Sequence, residues 1–249
     1  MNSRRIVGRG NTATIYEWED GKVLKLFHPG YPKSSVETEY HNIVAIQDMN
    51  FDKPRAYEIL TLEQQYGIVY DSVEGEDLQD YVLRTGDIEL CAEYMARIHK
   101  TILSCEVDKV PNYKDFLEYN ICHSEKVSLA KKDETFNILK QLPEGDTLCH
   151  GDFHPGNIIV KDNYPVVIDF MNICKGPYLY DIARTVYLVE YTPVPVNTQN
   201  REMIITLKHT LAENYLQLMN VSRARIKDFL TVISIARTGE CPNEEVIQL

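Results

Sequence analysis

The alternation of apolar and polar positions near the N-terminus reads as strands at residues 5–8, 13–18 and 22–27, with Asp20-Gly21 as the tight turn before the third. Pro29 and Pro32 then break the chain, and residues 34–48 take a helical pattern in which Val36, Tyr40, Ile43 and Val44 share a face and Ser34 or Ser35 caps the start. Residues 56–60 and 66–70 read as a strand pair, followed by a helix over about 76–84. The strongest stripe, Ile88, Cys91, Ala92, Met95, Ile98, His99 and Ile102, predicts a helix over 87–103. One or two charge-rich helices follow within 113–141. A hairpin occupies 158–170, with a polar turn at 161–165, and another helix runs from the Gly176-Pro177 pair to about 191. After the Thr192-Pro-Val-Pro195 breaker, two helices cover about 200–219 and 222–238, the first striped by Ile204, Leu207, Leu211, Tyr215 and Leu218. Strands dominating the first 70 residues and helices most of the rest, apart from the 158–170 hairpin, make this an α+β chain without repeats, low-complexity tracts or a flexible linker.

Composition narrows the functional classes. A chain of 249 residues suffices for one large domain or two lobes, and its net charge of −11 argues against a nucleic-acid-binding face. That acidity suits a cationic small molecule, though it also serves solubility. No apolar run approaches the roughly 18 residues of a membrane span. The first residues, Met-Asn-Ser-Arg-Arg-Ile-Val-Gly, lack the apolar core of a secretory signal, so a cytoplasmic protein is expected. Six scattered cysteines without a Cys-x-x-Cys pair read as buried free thiols.

The chemistry concentrates between Cys149 and Phe170, in His150-Gly151-Asp152-Phe-His154-Pro-Gly-Asn157 and then Val-Ile-Asp169-Phe170. Asp152 and Asn157 share one polar loop, and Asn157 leads into the first hairpin strand while Asp169 closes the second. A carboxylate and an amide carbonyl are the hard oxygen donors that Mg²⁺ prefers, which suits Asn157 and Asp169. Asp152 is then available to orient a hydroxyl and accept its proton. Nearer the N-terminus, the turn containing Gly8, Gly10 and Asn11 can cover phosphates with backbone N–H groups, although Ala13 stands where a third glycine of a Gly-x-Gly-x-x-Gly loop would fall.

The His-Gly-Asp-x-His-Pro-Gly-Asn loop followed by Val-Ile-Asp-Phe resembles the catalytic and metal-binding segment of the aminoglycoside phosphotransferase family, also called the phosphotransferase enzyme family. The likeness is strong over 149–181 and looser elsewhere. It implies a protein-kinase-like bilobal fold: a β-rich N-lobe with one main helix over 1–72, a hinge near 71–75, and a mostly helical C-lobe over 73–249. It implies γ-phosphoryl transfer from ATP, with GTP as the other option, to a hydroxyl of a small-molecule acceptor. Asp152 would be the base, and Asn157 and Asp169 the Mg²⁺ ligands. Lys25 would hold the nucleotide phosphates and be positioned by Glu39, with Glu37 the poorer partner. Tyr70 and Val73 would lie in the hinge segment whose backbone meets the adenine. Asp181 would brace the catalytic loop through backbone N–H groups, His99 would be a packed core histidine and His150 a structural anchor. His154 fits either phosphate contact or loop bracing, and Glu240 either an acceptor contact or, more simply, a surface position. A monomer or weak dimer without nucleic-acid or membrane partners is expected. The competing classes are a silent nucleotide-binding scaffold, a protein kinase and a metal-dependent hydrolase. The missing glycine after Phe170 and the absence of an activation segment count against the second, and Lys25 against the third.

Overall fold

A computed structural model describes residues 4–244; Met1 to Ser3, at the start of the stretch read for a signal, lie outside it. The chain divides into two compact units, one ending at Glu76 and taking in Ile159–Asn172, the other formed by Asp77–Ile158 and the chain from Ile173 onward.

The first unit is built on a five-stranded antiparallel sheet of order β1-β2-β3-β5-β4: β1 (Ile6–Arg9), β2 (Ala13–Glu17), β3 (Lys22–Phe27), β4 (Ala56–Leu62) and β5 (Gln65–Asp71). The two-residue side-chain period of β3 puts Leu24 and Leu26 on one face, where they pack with Val69, Tyr16, Trp18, Leu60 and Leu62. Lys25 is thereby turned to the other face. Helix α1 (Lys33–Ala45) supplies Glu39 and Asn42 there, both buried. This corrects the expected stripe: Val36 and Ile43 are buried, but Tyr40 is only half-buried and Val44 is 44% exposed. The interior face of α1 is part polar because Glu39 and Asn42 have partners waiting. The cap also differs. Pro32 takes the N-cap position without a side-chain bond, and Ser34 and Ser35 fall inside the helix.

The two-residue strand β6 (Glu76–Asp77) leads into α2 (Leu78–Thr85), which starts two residues later than expected because Asp77 caps it by accepting from the Asp80 N–H at 2.9 Å. Next come α3 (Ile88–Leu103), α4 (Tyr113–His123), α5 (Leu129–Gln141) and the short strand β7 (Thr147–Cys149). A 3₁₀ turn (Pro155–Asn157) opens β8 (Ile158–Lys161), which pairs with β9 (Tyr164–Val167). Strand β10 (Cys174–Gly176) returns against β7, setting Cys174 opposite Cys149. Helix α6 (Tyr178–Val186) continues as a π-helical turn (Tyr187–Tyr191), and α7 (Arg201–Met219) and α8 (Arg223–Glu240) complete the second unit.

The second unit's core gathers on α3, α6, α7 and α8. The α3 stripe Cys91, Ala92, Met95, Ile98, His99 and Ile102 is buried as the spacing requires. Each large apolar side chain so buried stabilises by about 1.5–3 kcal/mol against leaving it in water. On α7, burial begins only at Leu211, so Ile204 and Leu207 are half-buried and Leu218 is 38% exposed. All six cysteines are free. Cys91, Cys149 and Cys174 are buried, whereas Cys122 is exposed, contrary to the expectation for every thiol. Among the described residues no helix is long and apolar enough to cross a membrane.

Candidate active site

In the first unit, the candidate side chains meet at Lys25. Its ammonium donates to Glu39 Oε1 at 2.8 Å and to Asp169 Oδ1 at 3.0 Å. The Tyr70 hydroxyl donates to the same Glu39 oxygen at 2.8 Å. Burial alone would lower the Lys25 pKa, but Asp169 and Glu39 outweigh it and hold the ammonium charged. Burial pushes the Glu39 carboxyl up against the pull of Lys25. Asp169 sits just after β9 at φ 65°, a left-handed conformation that aspartate tolerates better than most residues. The following backbone is held by Asn42 Nδ2, which donates to the carbonyls of Phe170 (3.3 Å) and Met171 (3.0 Å).

The turn expected to cover phosphates lies between β1 and β2. Gly10 N–H donates to Ala13 C=O at 2.9 Å, Gly10 and Asn11 are exposed, and Gly8 is half-buried. Val73 is half-buried, two residues past the end of β5. The side chain of Tyr70 is committed to Glu39, so only its backbone suits the hinge role. Gly75 closes this segment at φ 144°, where a Cβ would lie 2.4 Å from Val160 C=O. Glycine is required there both by conformation and by space.

In the second unit, a dense set of bonds fixes the loop between β7 and the 3₁₀ turn. Asp181, fully buried on α6, accepts from His150 N–H (2.6 Å), Gly151 N–H (2.9 Å) and His99 Nε2 (2.9 Å). His99 is in turn held at Nδ1 by the Tyr215 hydroxyl (2.6 Å) and stacked on Phe153, with ring centroids 4.0 Å apart. Burial pushes the Asp181 carboxyl up, but His99, His150 and the Gly151 amide outweigh it and hold the pKa below its ordinary value. His150 is buried, and its Nδ1 accepts from Asp152 N–H at 3.2 Å.

Asp152 emerges from this frame with a side chain 27% exposed. Asn157 Nδ2 donates to the Asp152 carbonyl at 2.9 Å and lies 3.4 Å from Asp152 Oδ2. That commits the amide nitrogen and turns the carbonyl oxygen, the end a cation binds, to the opposite side. His154 Nδ1 accepts from Gly156 N–H at 3.2 Å, and its Nε2 lies 3.9 Å from Asp152 Oδ2. Its ring therefore braces the loop beside the carboxylate.

Sequence reasoning missed two contributors. Asn42 lies off the apolar stripe that the spacing predicts on its helix, so periodicity gives no reason to bury it. Arg184 is fully buried on α6, where Nε donates to Gly151 C=O at 3.0 Å and Nη2 donates to Glu240 Oε1 at 2.6 Å. Its signal was a lone charge in the apolar run between Asp181 and Glu190. Glu240 is consequently not a freely solvated surface glutamate: its side chain is only 17% exposed and is the counter-ion of a buried guanidinium.

A family model described as the phosphotransferase enzyme family matches residues 4–208. No curated protein matches the sequence. Among solved structures, amicoumacin kinase hAmiN in complex with AMP-PNP, Ca²⁺ and Ami is similar at TM-score 0.64 and 18% identity, over 96% of this chain and 80% of that one. A thermostable mutant of aminoglycoside phosphotransferase APH(4)-Ia, in complex with ADP and hygromycin B, gives 0.66 and 13% over 97% and 88%. Aminoglycoside phosphotransferase APH(3'')-Id from Streptomyces rimosus gives 0.62 and 15% over 94% and 92%. The fold is that of these protein-kinase-like small-molecule kinases.

Proposed function

The chain belongs to the phosphotransferase enzyme family, and from that premise we propose that it transfers the γ-phosphoryl group of ATP to a hydroxyl of a small molecule. The observation that carries the reading is the frame around Asp152. Its backbone N–H is tied to His150, its carbonyl to Asn157, and the two residues before it to Asp181. A carboxylate so positioned and still partly exposed suits a group that orients an acceptor hydroxyl and takes its proton. Lys25, kept charged by Asp169 and Glu39, suits a phosphate-binding cation. The backbone N–H groups of the Gly8–Gly10–Asn11 turn would cover the phosphates, and the backbone at Tyr70 and Val73 would meet the base.

Asn157 and Asp169 offer a metal the donors it wants: an amide carbonyl oriented by the bonded nitrogen, and a carboxylate whose side chain is 37% exposed. We assign Mg²⁺ to these two residues, with phosphate oxygens and water completing the shell. When bound, the ion supplies charge neutralisation at the transferring phosphoryl group. The solved relatives act on amicoumacin or carry aminoglycosides, so antibiotics of these two classes head the acceptor panel, followed by amino alcohols, sugars and nucleosides.

The test is Mg-dependent ATP or GTP consumption against that panel, with Asp152→Ala as control. A product that gains one phosphoryl group and vanishes in the variant supports the reading. Full activity in Asp152→Ala overturns the mechanism, and nucleotide binding without transfer to any acceptor favours the scaffold.

A further inference from the structure

Helix α6 grips one residue of the catalytic loop from both sides. Asp181 and Arg184 stand three positions apart, on one helical face. Asp181 Oδ1 accepts the Gly151 N–H at 2.9 Å, and Arg184 Nε donates to the Gly151 C=O at 3.0 Å. Gly151 has φ 74° and directly precedes Asp152, so the orientation of this residue sets where the Asp152 carboxylate points.

We propose that the buried Arg184–Glu240 ion pair is a positioning device for Asp152, with Arg184 clamping the Gly151 carbonyl and Glu240, at the end of α8, holding the guanidinium in place. The proposal rests on the phosphotransferase reading above. A fully buried guanidinium requires a counter-charge. Glu240 supplies it from the C-terminal end of α8, 2.6 Å from Nη2, and is itself 3.2 Å from Arg237 Nη1. Arg237 is anchored in turn by Glu244 through Nε (2.9 Å) and Nη2 (2.5 Å). Burial pushes the Glu240 carboxyl up, but Arg184 and Arg237 outweigh it and keep it ionised.

Packing alone does not explain an arginine here. Its Nη1 is buried without a hydrogen-bond partner, and the guanidinium lies 5.3 Å from the Phe116 ring, in surroundings that an apolar side chain would fill. A buried ion pair is often replaceable by apolar residues without loss of stability. What an apolar pair cannot supply is a donor to the Gly151 carbonyl. Lysine fails as well, because only the planar fork of arginine reaches two acceptors in different directions at once.

The experiment compares wild type with Glu240→Gln and with the double variant Arg184→Met/Glu240→Leu. Three quantities are read: thermal midpoint, kcat and KM for ATP with the acceptor found in the panel, and amide hydrogen exchange over residues 150–153. The expected result for the double variant is a near-native midpoint, faster local exchange, and kcat lower by about 10- to 100-fold, as small misplacement of a reacting group produces. KM for ATP should stay unchanged, because the pair touches none of the nucleotide-binding residues. A folded double variant with wild-type exchange, or with kcat within about twofold of wild type, overturns the proposal. Should the double variant fail to fold, Glu240→Gln decides by the same criteria. Should wild type transfer no phosphate at all, the phosphotransferase reading fails, and hydrogen exchange still judges the clamp.

Discussion

Replacing Asp181 by asparagine tests the loop frame with little change in shape. The carboxylate accepts three hydrogen bonds, two at Oδ2 (His150 N–H and His99 Nε2) and one at Oδ1 (Gly151 N–H). Asparagine keeps an oxygen at one position only. If the oxygen stays at the Oδ2 site, two bonds survive without their charge, a loss of about 1 kcal/mol each, and the Gly151 N–H faces an amide N–H, at about 1–3 kcal/mol. The total is about 3–5 kcal/mol, which for a chain of this size lowers the unfolding midpoint by roughly 10 °C. The pH dependence carries a sign. A carboxyl whose folded pKa lies below its ordinary value of 3.8 contributes stability above that value and loses it as pH falls through the folded pKa. The gap between wild type and Asp181→Asn should therefore be widest near neutrality and narrow below pH 3.8. Calorimetric or urea unfolding of both proteins across that range is the assay. A midpoint drop under about 3 °C at neutral pH, or a gap that stays constant on acidification, refutes the reasoning.

Other substitutions probe separate parts of the site. Asp152→Ala should abolish turnover, at least about 100-fold, while calorimetry shows ATP binding nearly intact. Asp169→Ala should remove the Mg²⁺ dependence of nucleotide binding and also strip Lys25 of one partner; unchanged Mg-dependent affinity would remove Asp169 from the metal site. Lys25→Met leaves the buried Glu39 without its cation and removes one partner of Asp169, so both ATP affinity and thermal midpoint should fall, the latter reflecting about 3 kcal/mol or more for the buried Glu39 charge. Gly75→Ala forces a Cβ to within 2.4 Å of Val160 C=O at a φ of 144°, and a loss of less than about 1 kcal/mol in urea unfolding would contradict that geometry.

Much of the architecture was legible because local rules govern it. The apolar stripe of α3, the Lys22–Phe27 strand and the hairpin after Asn157 follow from side-chain periodicity and turn residues alone. The loop from His150 to Asn157 stood out as a candidate site, since its His, Asp and Asn lie close together on one polar stretch. Less legible were the faces of elements whose interior is polar. Helix α1 buries Glu39 and Asn42 while Val44 is exposed, because the ammonium of Lys25 and the carbonyls of Phe170 and Met171 need partners there.

The sequence by itself determined most of the long strands and helices and the residue types at the candidate site, since both depend on neighbours within a few positions, whereas the short strands β6, β7 and β10 appear only in the fold. Tertiary structure decided which charges are buried and with whom. Lys25 meets Asp169 across 144 positions, and Arg184 meets Glu240 across 56. No periodicity encodes such pairs. Burying a charge is unfavourable until folding delivers its counter-ion, so whether Glu240 is a surface residue or half of a buried pair is settled only when α8 packs against α6.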